Sequence, residues 1–128
     1  MSSWEPLNIT TGANLTVTAP LIQTGATLSI SGGTLTSGPA QIGTLNLSSG
    51  AWNANGGTNV NALTLSGGTL AGSGQVTLTN GGTWSGGTFG GNLVVPVSQT
   101  LALNGGTKTW TTGTLTNDGT VIWSAGSI

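Results

Sequence analysis

Few residues in this chain can do chemistry. Of 128 residues, three carry charge, Glu5, Lys108 and Asp118, and there is no His and no Cys. Without a thiol or an imidazole the chain has no soft metal ligand, no ready nucleophile and no base that titrates near neutrality. Glu5 and Asp118 lie at opposite ends of the sequence and form no acid–base pair by proximity. One lysine cannot neutralise a run of phosphates, which argues against a nucleic-acid partner. A calcium-binding β-roll needs an Asp in every turn, and Asp118 is alone. The expectation is a protein that is not an enzyme and uses no metal and no cofactor. Lys108, Glu5 and Asp118 then read as solvated turn or end residues.

Aromatic rings and hydroxyls remain. The five tryptophans are Trp4, Trp52, Trp84, Trp110 and Trp123. An exposed indole can stack on a sugar ring, while a buried one is packing. Trp52 and Trp123 each sit in an alternating apolar doublet and read as core. Trp84 and Trp110 follow Gly-Gly-Thr corners, and the sequence leaves core and sugar platform open for both. Trp4 covers the first turn of structure or contacts a neighbouring molecule. Thr34, Thr58, Thr83 and Thr107 each close a Gly-Gly-Thr motif, and Thr34/Thr36, Thr83/Ser85 and Thr107/Thr109 are hydroxyl pairs two residues apart. Stacked in register, such pairs would resemble the face of an ice-binding solenoid; otherwise they are ordinary exposed strand residues.

The elements that must position these residues follow from the repeats. The motif x-Gly-Gly-Thr recurs at Ser31-Gly32-Gly33-Thr34, Asn55-Gly56-Gly57-Thr58, Asn80-Gly81-Gly82-Thr83 and Asn104-Gly105-Gly106-Thr107, in steps of 24, 25 and 24 residues. A degenerate copy, Thr11-Gly12-Ala13, precedes the first by 20. Each corner follows an apolar doublet of spacing two: Leu7/Ile9, Leu28/Ile30, Trp52/Ala54, Val76/Leu78 and Leu101/Leu103. A second set, Leu15/Val17, Leu45/Leu47, Leu63/Leu65, Leu93/Val95 and Val121/Trp123, drifts in position within the repeat. Further corners occur at Gly50, Ser66-Gly67-Gly68-Thr69, Gly90-Gly91-Asn92 and Asn117-Asp118-Gly119.

Gly, Thr and Asn are too frequent for any helix of a dozen residues. Short strands between Gly and Asn-Gly turns fit throughout. Hydrophobic residues are 35% of the chain and charged ones 2%; the alternation and the tryptophans argue for a folded domain over disorder. The expected fold is a single all-β domain over residues 1–128, a parallel β-helix (β-solenoid) of about five coils of roughly 24 residues, preferred over a sandwich or barrel. Stacking at that pitch would line up Gly32, Gly56, Gly81 and Gly105 as corners. It would place Trp52 in a column with Leu28 and Leu101, and Thr34, Thr58, Thr83 and Thr107 in another. The residues after those threonines, Leu35, Asn59, Trp84 and Lys108, mix apolar with charged, so the buried face of that strand stays undecided.

The stretches Leu28–Leu35, Leu63–Leu70 and 113–121 resemble bacterial surface β-strand repeats, those of autotransporter passengers and filamentous-haemagglutinin-type adhesins. The likeness is one of compositional pattern and covers the chain from about Leu7 to Trp123. It implies a right-handed parallel β-helix, a place outside the cell or on its surface, and a structural or adhesive role, with no catalytic residues. The near absence of charge departs from many such passengers.

The N-terminus, Met1-Ser2-Ser3-Trp4-Glu5-Pro6, lacks the basic and apolar regions of a signal peptide. The longest apolar run, 93–97, is too short to span a bilayer, so no membrane insertion is expected. The final residues, 121–128, read as another strand and not as a polar cap. An uncapped solenoid exposes strand edges. The expected partners are therefore a second molecule added end to end, a continuation of the same rod, or a glycan or host surface.

Overall fold

The computed structural model describes residues 4–128 and, over these, contains twelve strands and no helix. The strands are β1 (Leu7–Ile9), β2 (Asn14–Val17), β3 (Leu21–Ser37), β4 (Ala40–Ala54), β5 (Thr58–Leu65), β6 (Thr69–Leu78), β7 (Gly82–Trp84), β8 (Gly87–Val95), β9 (Thr100–Leu103), β10 (Lys108–Trp110), β11 (Leu115–Asn117) and β12 (Thr120–Trp123). Every pairing between them is parallel. The chain is a β-solenoid of about six turns. Rungs about 4.8 Å apart give a rod on the order of 30 Å long.

Each turn has three sides. Residues 7–9, 28–30, 45–47, 63–65, 82–84, 101–103 and 121–123 stack as the first side. Residues 14–17, 34–37, 51–54, 69–71, 88–90 and 109–110 stack as the second. Residues 21–23, 40–42, 58–60, 76–78, 93–95 and 115–117 stack as the third. Strands β3 and β4 run through corners unbroken, so single strands cover most of a turn.

The coil length differs from the sequence expectation. Residues stacked in register are 17 to 19 positions apart in the middle of the rod, as Leu28 on Leu45 and Leu63 on Gly82. They are 20 to 22 apart in most of the first and last pairings, as Leu7 on Leu28 and Leu93 on Leu115. The 24-residue recurrence is one turn plus one side of roughly six residues. The Gly-Gly-Thr corners therefore walk round the prism. Gly32 lies between the first and second sides, Gly56 between the second and third, Gly81 between the third and first, and Gly105 again between the first and second. These four glycines do not form one column.

What stacks at the first corner is Gly33, Gly50, Gly68 and Gly87. A Cβ on Gly50 would strike the Gly33 carbonyl, one on Gly68 would lie 2.7 Å from the Gly50 carbonyl oxygen, and one on Gly87 2.7 Å from the Gly68 oxygen. Gly50, Gly68 and Gly87 also take positive φ, 79°, 67° and 78°. Glycine is needed there because the turn is left-handed and the next coil's backbone leaves no room for a side chain.

The inward residues form continuous columns. On the first side these are Leu28, Leu45, Leu63, Gly82 and Leu101, and Ile30, Leu47, Leu65, Trp84 and Leu103. On the second side Trp52 stacks between Leu35 and Leu70, not with Leu28 and Leu101. Trp52 is fully buried, and its Nε1–H donates to Ser37 Oγ at 2.9 Å. On the third side the columns are Leu21, Ala40, Thr58, Val76 and Leu93, and Gln23, Ile42, Val60, Leu78 and Val95.

Two consequences are measurable. Gly68→Ala should destabilise the protein by about 1–3 kcal/mol, seen as a Tm fall of several degrees, because both the φ and the space are wrong for a side chain. Gly57→Ala, with nothing within 4 Å of its Cβ position, should leave Tm unchanged. Ser37→Ala should cost about 1–3 kcal/mol by stranding the Trp52 indole N–H in the core; chemical denaturation checks it, and an unchanged midpoint would show that the bond contributes nothing.

Candidate functional site

The aromatic residues do not share one surface. Trp84 is buried, with its Nε1–H donating to the Gly86 carbonyl at 2.8 Å. It comes from the first side and Phe89 and Trp110 from the second. The Trp84–Phe89, Trp84–Trp110 and Phe89–Trp110 centroids lie 6.2, 5.8 and 4.9 Å apart, all tilted. Such tilted pairs are ordinary core packing. Trp84 therefore presents no ring to a sugar, and Trp110 is half-buried against the core. Trp123 continues the inward column above Leu103 yet is 56% exposed, because no rung covers it. Trp4 is 77% exposed, and its ring lies where a Cβ on Gly25 would be.

The threonines are likewise dispersed. Thr34 stacks on Asn14 and Ala51, Thr58 on Ala40 and Val76, and Thr83 on Thr64 and Ala102. Thr58 is buried and donates to the Gly56 carbonyl at 3.0 Å. Thr107 touches Ser127 Oγ at 3.5 Å at the last corner. The four form no ladder, because the 24-residue step moves each to a new side. The alignments that do exist follow the true coil: Thr69, Thr88 and Thr109 stack on the second side, and Asn46, Thr64 and Thr83 on the first.

Lys108 departs from its reading as a solvated residue. It is 1% exposed, aligned with Gly87 at the start of the last second-side rung. Its Nζ donates to the Gly106 carbonyl at 2.9 Å and the Ala125 carbonyl at 3.2 Å. Its backbone N–H donates to the Ser127 carbonyl at 2.8 Å. A buried ammonium is costly unless its protons are bonded; here carbonyl dipoles of the last corner supply two acceptors. Lys108 thereby fastens the C-terminal segment over the corner after Leu103. The sequence carried no sure signal for this, because the residues in the same motif position, Leu35, Asn59 and Trp84, lie on three different sides.

The solenoid's two ends form a further candidate surface. Strands β10, β11 and β12 pair on one side only, as do β1 and β2. At the C-terminal end Leu115, Ile122, Trp123 and Ile128 are 38%, 51%, 56% and 51% exposed. At the N-terminal end Leu7, Leu15 and Val17 pack only partly into the core. Glu5 lies beside the first rung and Asp118 beside the last, so the two carboxylates stand at opposite ends of the stack.

Comparison with protein-family models, curated proteins and solved structures found no match.

Lys108→Met keeps the stem and removes the two Nζ hydrogen bonds. The segment 124–128 should loosen, and the amide at position 108, bonded to Ser127, should exchange its proton faster by NMR. Unchanged protection would show that the backbone alone holds this segment.

Proposed function

We propose that this chain is a non-enzymatic structural unit, a length of stiff neutral rod that is completed at its ends by further solenoid. The observation that carries the reading is the run of the apolar columns out to Leu115, Val121 and Trp123, in the last rungs described, whose strands pair with the rod on one edge. Edge groups of this kind are templates for another strand, and repeat stacks gain their stability from each neighbour added. The rung that completes the end is more of the same solenoid, or a second copy added head to tail.

The role assigned is extracellular or cell-surface, spacing or displaying a contact. A surface rich in Gly, Thr, Ser and Asn, the lack of Cys, and the likeness to surface-adhesin repeats support it. The scarcity of catalytic side chains, with Glu5 and Asp118 at opposite ends, supports a mechanical over a chemical role. Stability comes from ladders of backbone bonds and from buried columns, with ion pairs playing no part among the described residues.

Purified chain should form end-to-end oligomers whose length grows with concentration, seen by analytical ultracentrifugation and as thin filaments by electron microscopy. Leu115→Lys with Trp123→Lys should abolish them without unfolding the rod. A strict monomer at high concentration would remove head-to-tail addition, and oligomers that persist in the double variant would place the contact elsewhere.

A further inference from the structure

A recess opens on the flank of the rod, beginning at the first rung of the third side. It lies along the corner between the third and first sides, has a volume of about 380 Å³, and is lined by Thr24, Gln41, Ile42, Asn59, Asn61 and Thr79. Its origin is a difference in corner length. In the turn that begins at Leu21, residues 24–26 bulge between Gln23 and Thr27, where the ladder shifts register. The next two turns pass the same corner with Gly43 and with Asn61 alone between the paired segments. The following turn widens again through Thr79, Asn80 and Gly81. Two set-back corners between two protruding ones leave the hollow. Gly43 makes it possible, since a Cβ there would lie 2.7 Å from the Ala26 carbonyl oxygen and 2.8 Å from that of Thr24.

The lining has a definite chemistry. It offers three side-chain amides and two hydroxyls over a buried isoleucine, and no charge. Gln41 and Asn59 stack as outward neighbours on the third side. Thr79 Oγ1 donates to the Val60 carbonyl at 3.3 Å and lies 3.5 Å from Asn61 Oδ1, which leaves the Asn61 NH₂ as a donor. At the upper end, one residue from Thr24, the Trp4 ring rests on Gly25 and is 77% exposed. Ile22, stacked on Gln41 on its N-terminal side, is 46% exposed and adds apolar surface.

We propose that this recess binds a neutral oligosaccharide laid along the rod axis, with the Trp4 indole stacked on one terminal sugar and the amides of Gln41, Asn59 and Asn61 bonded to ring hydroxyls. Carboxamides give and accept at once, which suits hydroxyls that do the same. The rungs repeat at about 4.8 Å, close to the length of one hexose, so successive amides meet successive sugars. None of the six lining residues is charged, and an anionic ligand finds no cation among them. A few convergent polar groups, an apolar floor and an aromatic platform are the usual composition of such a site. None of the lining residues belongs to the C-terminal end, so the Leu115 and Trp123 variants test rod completion without touching this site.

The test uses the chain as it stands, titrated with cellotriose, maltotriose, laminaritriose and triacetylchitotriose, and with trigalacturonate as a charged control, followed by ¹H–¹⁵N NMR. At least one neutral trisaccharide should bind saturably with a Kd on the order of millimolar, shifting the Trp4 indole and the Gln41, Asn59 and Asn61 side-chain amide signals. Trp4→Ala, and separately Gln41→Ala with Asn59→Ala, should each weaken that binding by about tenfold. Asn46→Ala, on the first side and outside the recess, should not. Circular dichroism confirms that the variants keep the fold. The proposal is overturned if none of the four neutral sugars binds, if binding survives both variants, or if trigalacturonate binds as tightly.

Discussion

Everything in this molecule depends on the match of one rung to the next. A parallel ladder bonds both edges of a strand only if the chain returns to the same side after each circuit. A slip of one residue would turn the inward set outward, since side chains alternate. The structure holds the strands to that rule and lets the corners absorb the variation. Circuits range from 17 to 22 residues, yet Leu28, Leu45 and Leu63 stay in one column. The register shift between Gln23 and Thr27 shows how: the extra residues leave the ladder at the corner and rejoin it in phase.

A fixed ladder also fixes the cross-section, so volumes must balance within each turn. The turn that carries Trp52 has Ala40 and Ala54 among its other inward residues. The turn that carries Trp84 and Phe89 has Gly82 where Leu63 and Leu101 stand in the rungs on either side. Large and small alternate around a perimeter that cannot swell. The tryptophans are thus placed by packing, and this is why the conspicuous pair Trp84 and Trp110 meets inside the rod instead of offering a surface.

Much of this was legible in the residues. Doublets such as Leu28/Ile30 and Leu45/Leu47 announce strands, Gly and Asn-Gly announce corners, and their recurrence announces a solenoid. The period of the Gly-Gly-Thr motif does not equal the coil length, for a physical reason. Glycine is needed at a corner where the neighbouring coil's backbone leaves no room for a Cβ, as at Gly56 and Gly81, and a three-sided rod has three corners per turn. A motif that advances by a turn and a side has a regular period without marking one column. Two signals pointed to the shorter coil. Leu45/Leu47 and Leu63/Leu65 are 18 residues apart, and Thr11-Gly12 precedes Ser31-Gly32 by 20. The drift of the second set of doublets was the coil itself showing through. The recess could not be found in this way, because it is made by the relative lengths of four corners that are far apart in sequence.

The scarcity of charge changes what the surface can do. Most sheet proteins guard open edges with lysines or with inward-pointing charges, and this chain has one cation to spend. Lys108 sits in the last circuit, drawn inward and bonded to the carbonyls of Gly106 and Ala125. There it secures the segment after Trp123, and the one charge beside β11 is the carboxylate of Asp118. Long-range fields neither steer a partner to this rod nor repel one, so recognition rests on short-range complementarity. At the ends, that means backbone groups aligned with backbone groups. Along the corner between the third and first sides, it means amides and hydroxyls at rung spacing. The same vertical repeat that makes the core continuous thus sets the spacing of every surface the rod can offer.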